Sequence, residues 1–351
     1  MLRGKATLWV VAGMVLLMTV LAGCGGGNAA KKENGAVQEE ASSNANVGQE
    51  GDASAKGDSA AGDVREIKHA MGETKIEGTP QRIVTLYQGA TDVAVALGVK
   101  PVGAVESWAQ QPMYDYLKEE LADTVILGSE AQPNVEEIAK LKPDLIIASK
   151  LRNEKIYENL KAIAPTVAHE TVFQFKETVE LMGQALNKEK EAAELLQAWD
   201  ARVADFKGKI SAKLGSEWPV TVSILNYRAD HARIYVTGYA ANILNELGFI
   251  RTEYQQKEAD EGKVVISLTD KEAIPSMNAG TIFYFIGGFG EDEAVNKTYE
   301  EWTTHPLFQQ LDAVKNKRVF MVDEIAWNLG GGISNANVML DQLYEHYELE
   351  K

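Results

Sequence analysis

Between positions 188 and 210 the chain has no proline, and its only glycine there, Gly208, stands near the end. Apolar residues recur at Ala192, Leu195, Leu196, Trp199, Val203, Phe206 and Ile210. Spacings of three and four put them on one stripe of a helix. At 1.5 Å per residue, roughly 23 residues reach about 35 Å, the width of a small domain. The segment predicts a stiff spine between whatever precedes it and whatever follows.

Both flanks alternate strand and helix signals. Residues 67–76 read as a hairpin around Met71-Gly72. Residues 83–86 read as a buried strand ending at Tyr87-Gln88-Gly89, followed by a helix over 90–97 closed by Gly98. A second strand over 102–105 ends at Glu106-Ser107-Trp108. A helix over 134–141, acidic in its first turn, leads to a strand over 145–149 that ends near Lys150 and Arg152. Beyond the spine come a strand over 220–225, helices over 241–247 and 267–277, and strands over 281–286 and 318–322. A terminal helix begins near Ser334. This alternation predicts an α/β fold of two lobes of parallel sheet flanked by helices and joined by one long spine helix. The expected N-terminal lobe is 64–175, the linking region 176–214 and the C-terminal lobe 215–351.

The first 63 residues stand apart. Arg3 and Lys5 precede an apolar stretch over 6–21, then Leu21-Ala22-Gly23-Cys24, with the only cysteine of the chain. Charged, apolar and small residues in that order are those of a secretory signal, here over 1–23. The segment resembles the lipobox of bacterial lipoproteins, which implies lipidation of Cys24 and a place on the outer face of the cytoplasmic membrane. Residues 24–63 have almost no large apolar side chain and read as a flexible tether.

The formal charge is −16, and loss of Arg3 and Lys5 takes 35 basic residues to 33 against 51 acidic, a net −18. That argues against nucleic acid as a partner. An anionic ligand then needs a local basic site. Asn226-Tyr227-Arg228-Ala229-Asp230-His231-Ala232-Arg233-Ile234-Tyr235 offers one, with two arginines and two tyrosines just past an apolar strand. Ligands of open α/β sheets sit at strand carboxyl ends, and guanidinium forks suit carboxylates. A solvated loop is the alternative, and Asp230 is able to pair with either arginine. The five histidines (His69, His169, His231, His305 and His346) show no HxxxH or HExxH spacing.

Thr85-Leu86-Tyr87-Gln88-Gly89-Ala90-Thr91-Asp92, residues 134–149, residues 226–234 and Trp327-Asn328-Leu329-Gly330-Gly331-Gly332 with Met339-Leu340-Asp341 resemble the iron–siderophore substrate-binding lipoproteins of ABC importers. The ferric-citrate-binding type is the nearest match by these motifs, schizokinen-type binders the next. The resemblance implies a monomer that captures a ferric siderophore between its lobes and delivers it to a permease driven by a cytoplasmic ATPase. It implies no cofactor and no direct metal ligand, because the chelator saturates the iron. Strand-end residues supply the candidate ligand site: Tyr87, Gln88, Trp108 and Arg152, with Lys150, from the first lobe, and Arg228, Arg233, Tyr235 and Trp327, with Tyr239, from the second. Permease docking would fall on Glu136 and Glu272, although a helix-dipole role explains Glu136 as well. Haem, cobalamin and hydroxamate carriers share the expected architecture. A hydrolase is the rival from another class, and the sequence has no G-x-S-x-G elbow.

Overall fold

The computed structural model describes residues 64–351, so the signal segment, Cys24 and the tether lie outside the described residues. Two strands, β1 (Val64–His69) and β2 (Gly72–Glu77), form the expected hairpin. Six more, β3 (Ile83–Thr85), β4 (Gly103–Glu106), β5 (Val125–Ser129), β6 (Gln132–Pro133), β7 (Leu145–Ser149) and β8 (Thr166–His169), form a sheet in the order β6-β5-β4-β3-β7-β8. All its pairings are parallel except the short β5–β6 edge. Strand β7 is buried at all five positions, as a near-continuous apolar run in a doubly covered parallel sheet should be.

The second sheet comprises β9 (Val222–Tyr227), β10 (Ala232–Tyr235), β11 (Val265–Leu268), β12 (Thr281–Ile286) and β13 (Val319–Met321), ordered β11-β10-β9-β12-β13. It departs from the expected parallel lobe. The β9–β12 and β12–β13 pairs are parallel, whereas β9–β10 and β10–β11 are antiparallel. The stretch 226–235 is therefore a hairpin rather than a loop beyond a strand. Its return arm alternates apolar and polar residues, so Ala232 and Ile234 bury while Arg233 and Tyr235 share the other face. The helix expected over 267–277 also begins as strand. Ser267 and Leu268 pair with Arg233 and Ala232 of β10, and only 271–277 coil, as a 3-10 turn containing Pro275.

The spine helix runs Glu189–Leu214, and its 26 residues span about 39 Å. Of the expected stripe, Ala192, Trp199, Val203, Phe206 and Ile210 are buried, and Leu195 and Leu196 pack half-buried against the same cluster. At roughly 1.5–3 kcal/mol for each large side chain, that stripe is a principal source of cohesion. The apolar cluster around it draws from both sheets and from the helices Gln88–Ala96, Phe175–Leu186, Tyr239–Glu246 and Ile333–His346. The terminal helix thus packs on first-sheet elements as well as on the second.

Its N-terminus shows how. Asp92, fully buried on the helix Gln88–Ala96, accepts hydrogen bonds from the Ser334 backbone N–H (2.9 Å), the Tyr116 hydroxyl (2.9 Å) and Asn335 Nδ2 (3.3 Å). Burial pushes its carboxyl above the usual range, and those bonds oppose the shift. Gly89 is held so close to the next segment that a Cβ there would lie 2.6 Å from the Gly331 carbonyl oxygen. The motifs around Gly89 and Gly331, more than 200 residues apart in the chain, are one contact in space.

Candidate functional site

A cavity of about 300 Å³ lies between the two sheets. Gln88, Trp108, Glu130 and Arg152 line it from the first sheet, at the carboxyl ends of β3, β4, β5 and β7. Tyr235, Tyr239 and Val264 face them from the second. Val172, Phe173 and residues 328–331 close the remaining side. A larger hollow, about 540 Å³, opens beside β13 and is lined by residues such as Met321, Asp323, Glu345 and His346. It touches no first-sheet residue. The smaller cavity, which joins both halves, is the better candidate.

On the first wall one buried carboxylate organises the rest. Glu130, 3% exposed, accepts from Arg152 Nε (2.8 Å), from the Gln88 backbone N–H (3.2 Å) and from Trp108 Nε1 (3.4 Å). The Arg152 guanidinium carbon stands 5.9 Å from the centre of the Trp108 ring. Trp108 keeps 45% of its surface exposed, unusual for so large an apolar group. The Gln88 side chain donates to the Glu106 carbonyl at 2.8 Å. Lys150 turns away and pairs with Glu170 at 2.8 Å.

The second wall is built by the hairpin. Tyr235 lines the cavity, and Arg233 sits on the same face two residues earlier, about 7 Å along the strand. Burial raises the Tyr235 hydroxyl, while the Arg233 and Arg228 guanidinium groups oppose the shift and Glu324 reinforces it. Arg233 Nε donates to His231 Nε2 (2.9 Å), which leaves the ring proton on Nδ1 to bond Asp230 (2.6 Å). The His231 contact lowers the Asp230 carboxyl. Asp230 is thereby committed to His231. Among the described residues the Arg228 guanidinium has no hydrogen-bond or ion-pair partner. Opposite Arg233 across the ladder stands Asn226, 1% exposed, with both amide atoms unpartnered.

Of the residues singled out by sequence, Gln88, Trp108, Arg152, Tyr235 and Tyr239 meet at the cavity. Arg233 shares the face of Tyr235, and Arg228 lies at the hairpin turn with its guanidinium against Gly287. Tyr87 and Trp327 do not form its wall, because apolar packing claims both rings. Tyr87 is fully buried with its hydroxyl 3.2 Å from Thr178 Oγ1. Trp327, 1% exposed, packs 4.7 Å from the Phe283 ring and donates to Gln342 at 2.8 Å. Glu136 and Glu272 are exposed, each two residues after a capping side chain, Asn134 and Asp270. Glu130 escaped the sequence reading. The strand-end rule that found Trp108 and Arg152 would have found it, but Gly128 interrupts the apolar run of β5 and hid the strand.

A family model described as periplasmic binding protein matches residues 83–326, which includes both sheets and the two facing walls of the cavity but not residues 328–331. The chain belongs to the periplasmic binding protein family. This periplasmic binding protein is 44% identical over 265 residues to an achromobactin-binding periplasmic protein of Dickeya dadantii, covering 75% of this chain and 85% of the relative. It is 30% identical over 285 residues to an Fe(3+)-citrate-binding protein of Bacillus subtilis, covering 80% of this chain and 85% of that one. Among solved structures, Staphylococcus aureus SirA complexed with staphyloferrin B superposes with a TM-score of 0.78 at 55% identity, covering 82% of this chain and 99% of SirA.

Proposed function

We propose that this protein captures a ferric siderophore of carboxylate type in the cavity between its two sheets and hands it to an ABC permease for iron uptake. The observation that carries the reading is the cavity itself. An exposed indole, a guanidinium and a tyrosine converge there between two halves, beside two further arginines, in a chain of net charge −16. Citrate-type chelators keep surplus carboxylates around Fe(III), so their complexes are anionic. Guanidinium forks hold such groups by charge-assisted bonds of roughly 1.5–3 kcal/mol each. The likeness to proteins named for achromobactin and ferric citrate, and to SirA solved in complex with staphyloferrin B, supports the ligand class. Iron is cargo here, coordinated by its chelator. Trp108, Arg152, Gln88 and Tyr235 contact the complex, with Arg233 and Arg228 reaching it from the hairpin.

In the same proposal, the protein acts as a monomer, held by lipid on Cys24 to the outer face of the cytoplasmic membrane. A diacylglycerol with a further amide-linked chain gives lasting attachment, since stable anchoring takes two acyl chains or more. Glu136 and Glu272, exposed on opposite halves, meet the permease.

Fluorescence tests the ligand class, because Trp108 borders the cavity. Ferric citrate, ferric achromobactin and ferric staphyloferrin B are each titrated beside their iron-free chelators. Quenching by at least one ferric complex and not by its iron-free form is expected. Silence toward all three, with tight binding of hemin or cobalamin, would overturn the assignment.

A further inference from the structure

We propose that Glu130 is a positioning residue that sets Arg152 and Trp108 for ligand before ligand arrives. This rests on the cavity being the siderophore site. The four first-wall residues come from four separate strand ends, and nothing in the sheet alone fixes their side chains relative to one another. Glu130 is bonded to the other three. One oxygen takes Arg152 Nε, and the other takes the first N–H of the helix Gln88–Ala96 and the indole N–H.

The geometry has two consequences. Only Nε of Arg152 is engaged within the protein; among the described residues its Nη groups have no partner, and the side chain stays 35% exposed. The outer edge of the guanidinium therefore remains available for a planar acceptor. An unrestrained arginine would lose its rotamer freedom on binding, and Glu130 removes that freedom in advance. The pair is also electrically neutral. This wall recognises its ligand by directed N–H groups and an aromatic face, while net attraction for an anion falls to the hairpin arginines.

The test compares Glu130→Gln, Arg152→Ala and the double variant in the full chain, with the three ferric complexes as probes. Glutamine preserves shape but places an amide donor where the carboxylate accepted. Expected is at least a tenfold loss of affinity in Glu130→Gln, with the double variant no weaker than the worse single one. Unchanged or tighter binding by Glu130→Gln, or independent losses that multiply in the double variant, would overturn the proposal. Tighter binding would mean that Glu130 acts as a repelling charge. A ligand-free readout separates this from failure of the ligand assignment. The Trp108 indole N–H signal in NMR, identified by its loss in Trp108→Phe, should shift in Glu130→Gln without any siderophore. If the wild-type protein binds none of the three probes, the ligand class fails, and an unshifted indole signal would overturn the positioning role independently. Should Glu130→Gln fail to fold, Glu130→Asp keeps the charge with a shorter reach. It should weaken binding or, without a binding probe, shift the indole signal, and an unchanged value of that readout would overturn the proposal.

Discussion

The two walls of the cavity solve opposite problems. On the first, the buried Glu130 carboxylate is answered from within the protein, by Arg152 Nε, the Trp108 indole and the start of a helix, and only the outer edge of Arg152 is left open. On the second, polar capacity is left over. The Arg228 guanidinium has no hydrogen-bond or ion-pair partner among the described residues, and the buried side-chain amide of Asn226 has none for either atom. An unanswered buried amide costs about 1–3 kcal/mol, so the second wall sacrifices stability that the first retains. The difference teaches where each kind of work is done. A satisfied, neutral wall gives shape and direction. An unsatisfied, positive one gives attraction and is improved by an anion.

That contrast breaks most readily at the hairpin. Replacing Arg228 or Arg233 by alanine should weaken binding of the preferred ferric complex by about 1.5–3 kcal/mol each, with the melting temperature nearly constant. Titration calorimetry beside a thermal melt reads both quantities, and a fall in stability equal to the loss of affinity would make the arginines structural. The opposite pattern is expected on the first wall. Arg152→Ala strands the Glu130 carboxylate at 3% exposure, and should lower folding stability by about 1–3 kcal/mol as well as weakening binding. A denaturant midpoint unchanged from wild type would erase the distinction between the walls. The smallest effect on either quantity is expected at Glu136 and Glu272, both outside the cavity. Alanine at both positions should leave stability and affinity within about 0.5 kcal/mol of wild type and yet impair iron uptake by cells. Normal uptake would remove their docking role.

How much of this was legible beforehand depended on the kind of signal. The spine helix was plain, because one apolar stripe without proline has a single reading, and Trp199, Phe206 and Ile210 bury as their spacing requires. Strand β7 was plain for the same reason. The hairpin was half legible. Its arginines are visible, but nothing marks the turn strongly, since positions 228–231 contain neither glycine nor proline, and the sequence does not show that the chain returns as β10. Tyr87 and Trp327 lie outside the cavity wall, since a strand-end address does not say which way a ring points. Core packing decided both. Contacts distant in sequence were invisible altogether: the bond of Asp92 to Ser334 and the approach of Gly89 to Gly331 each join motifs that read as separate. Glu130 was lost to a broken period, Gly128 inside β5.

The central claim is that one ligand is gripped by both walls, shape on one side and charge on the other. A crystal structure with a bound ferric carboxylate siderophore tests it most directly. Expected are the free edge of Arg152 and the face of Trp108 against the complex on the first side, with Arg233 or Arg228 on its carboxylates from the second. A complex seated in the hollow beside β13, or held in the cavity with both hairpin arginines turned to solvent, would contradict it.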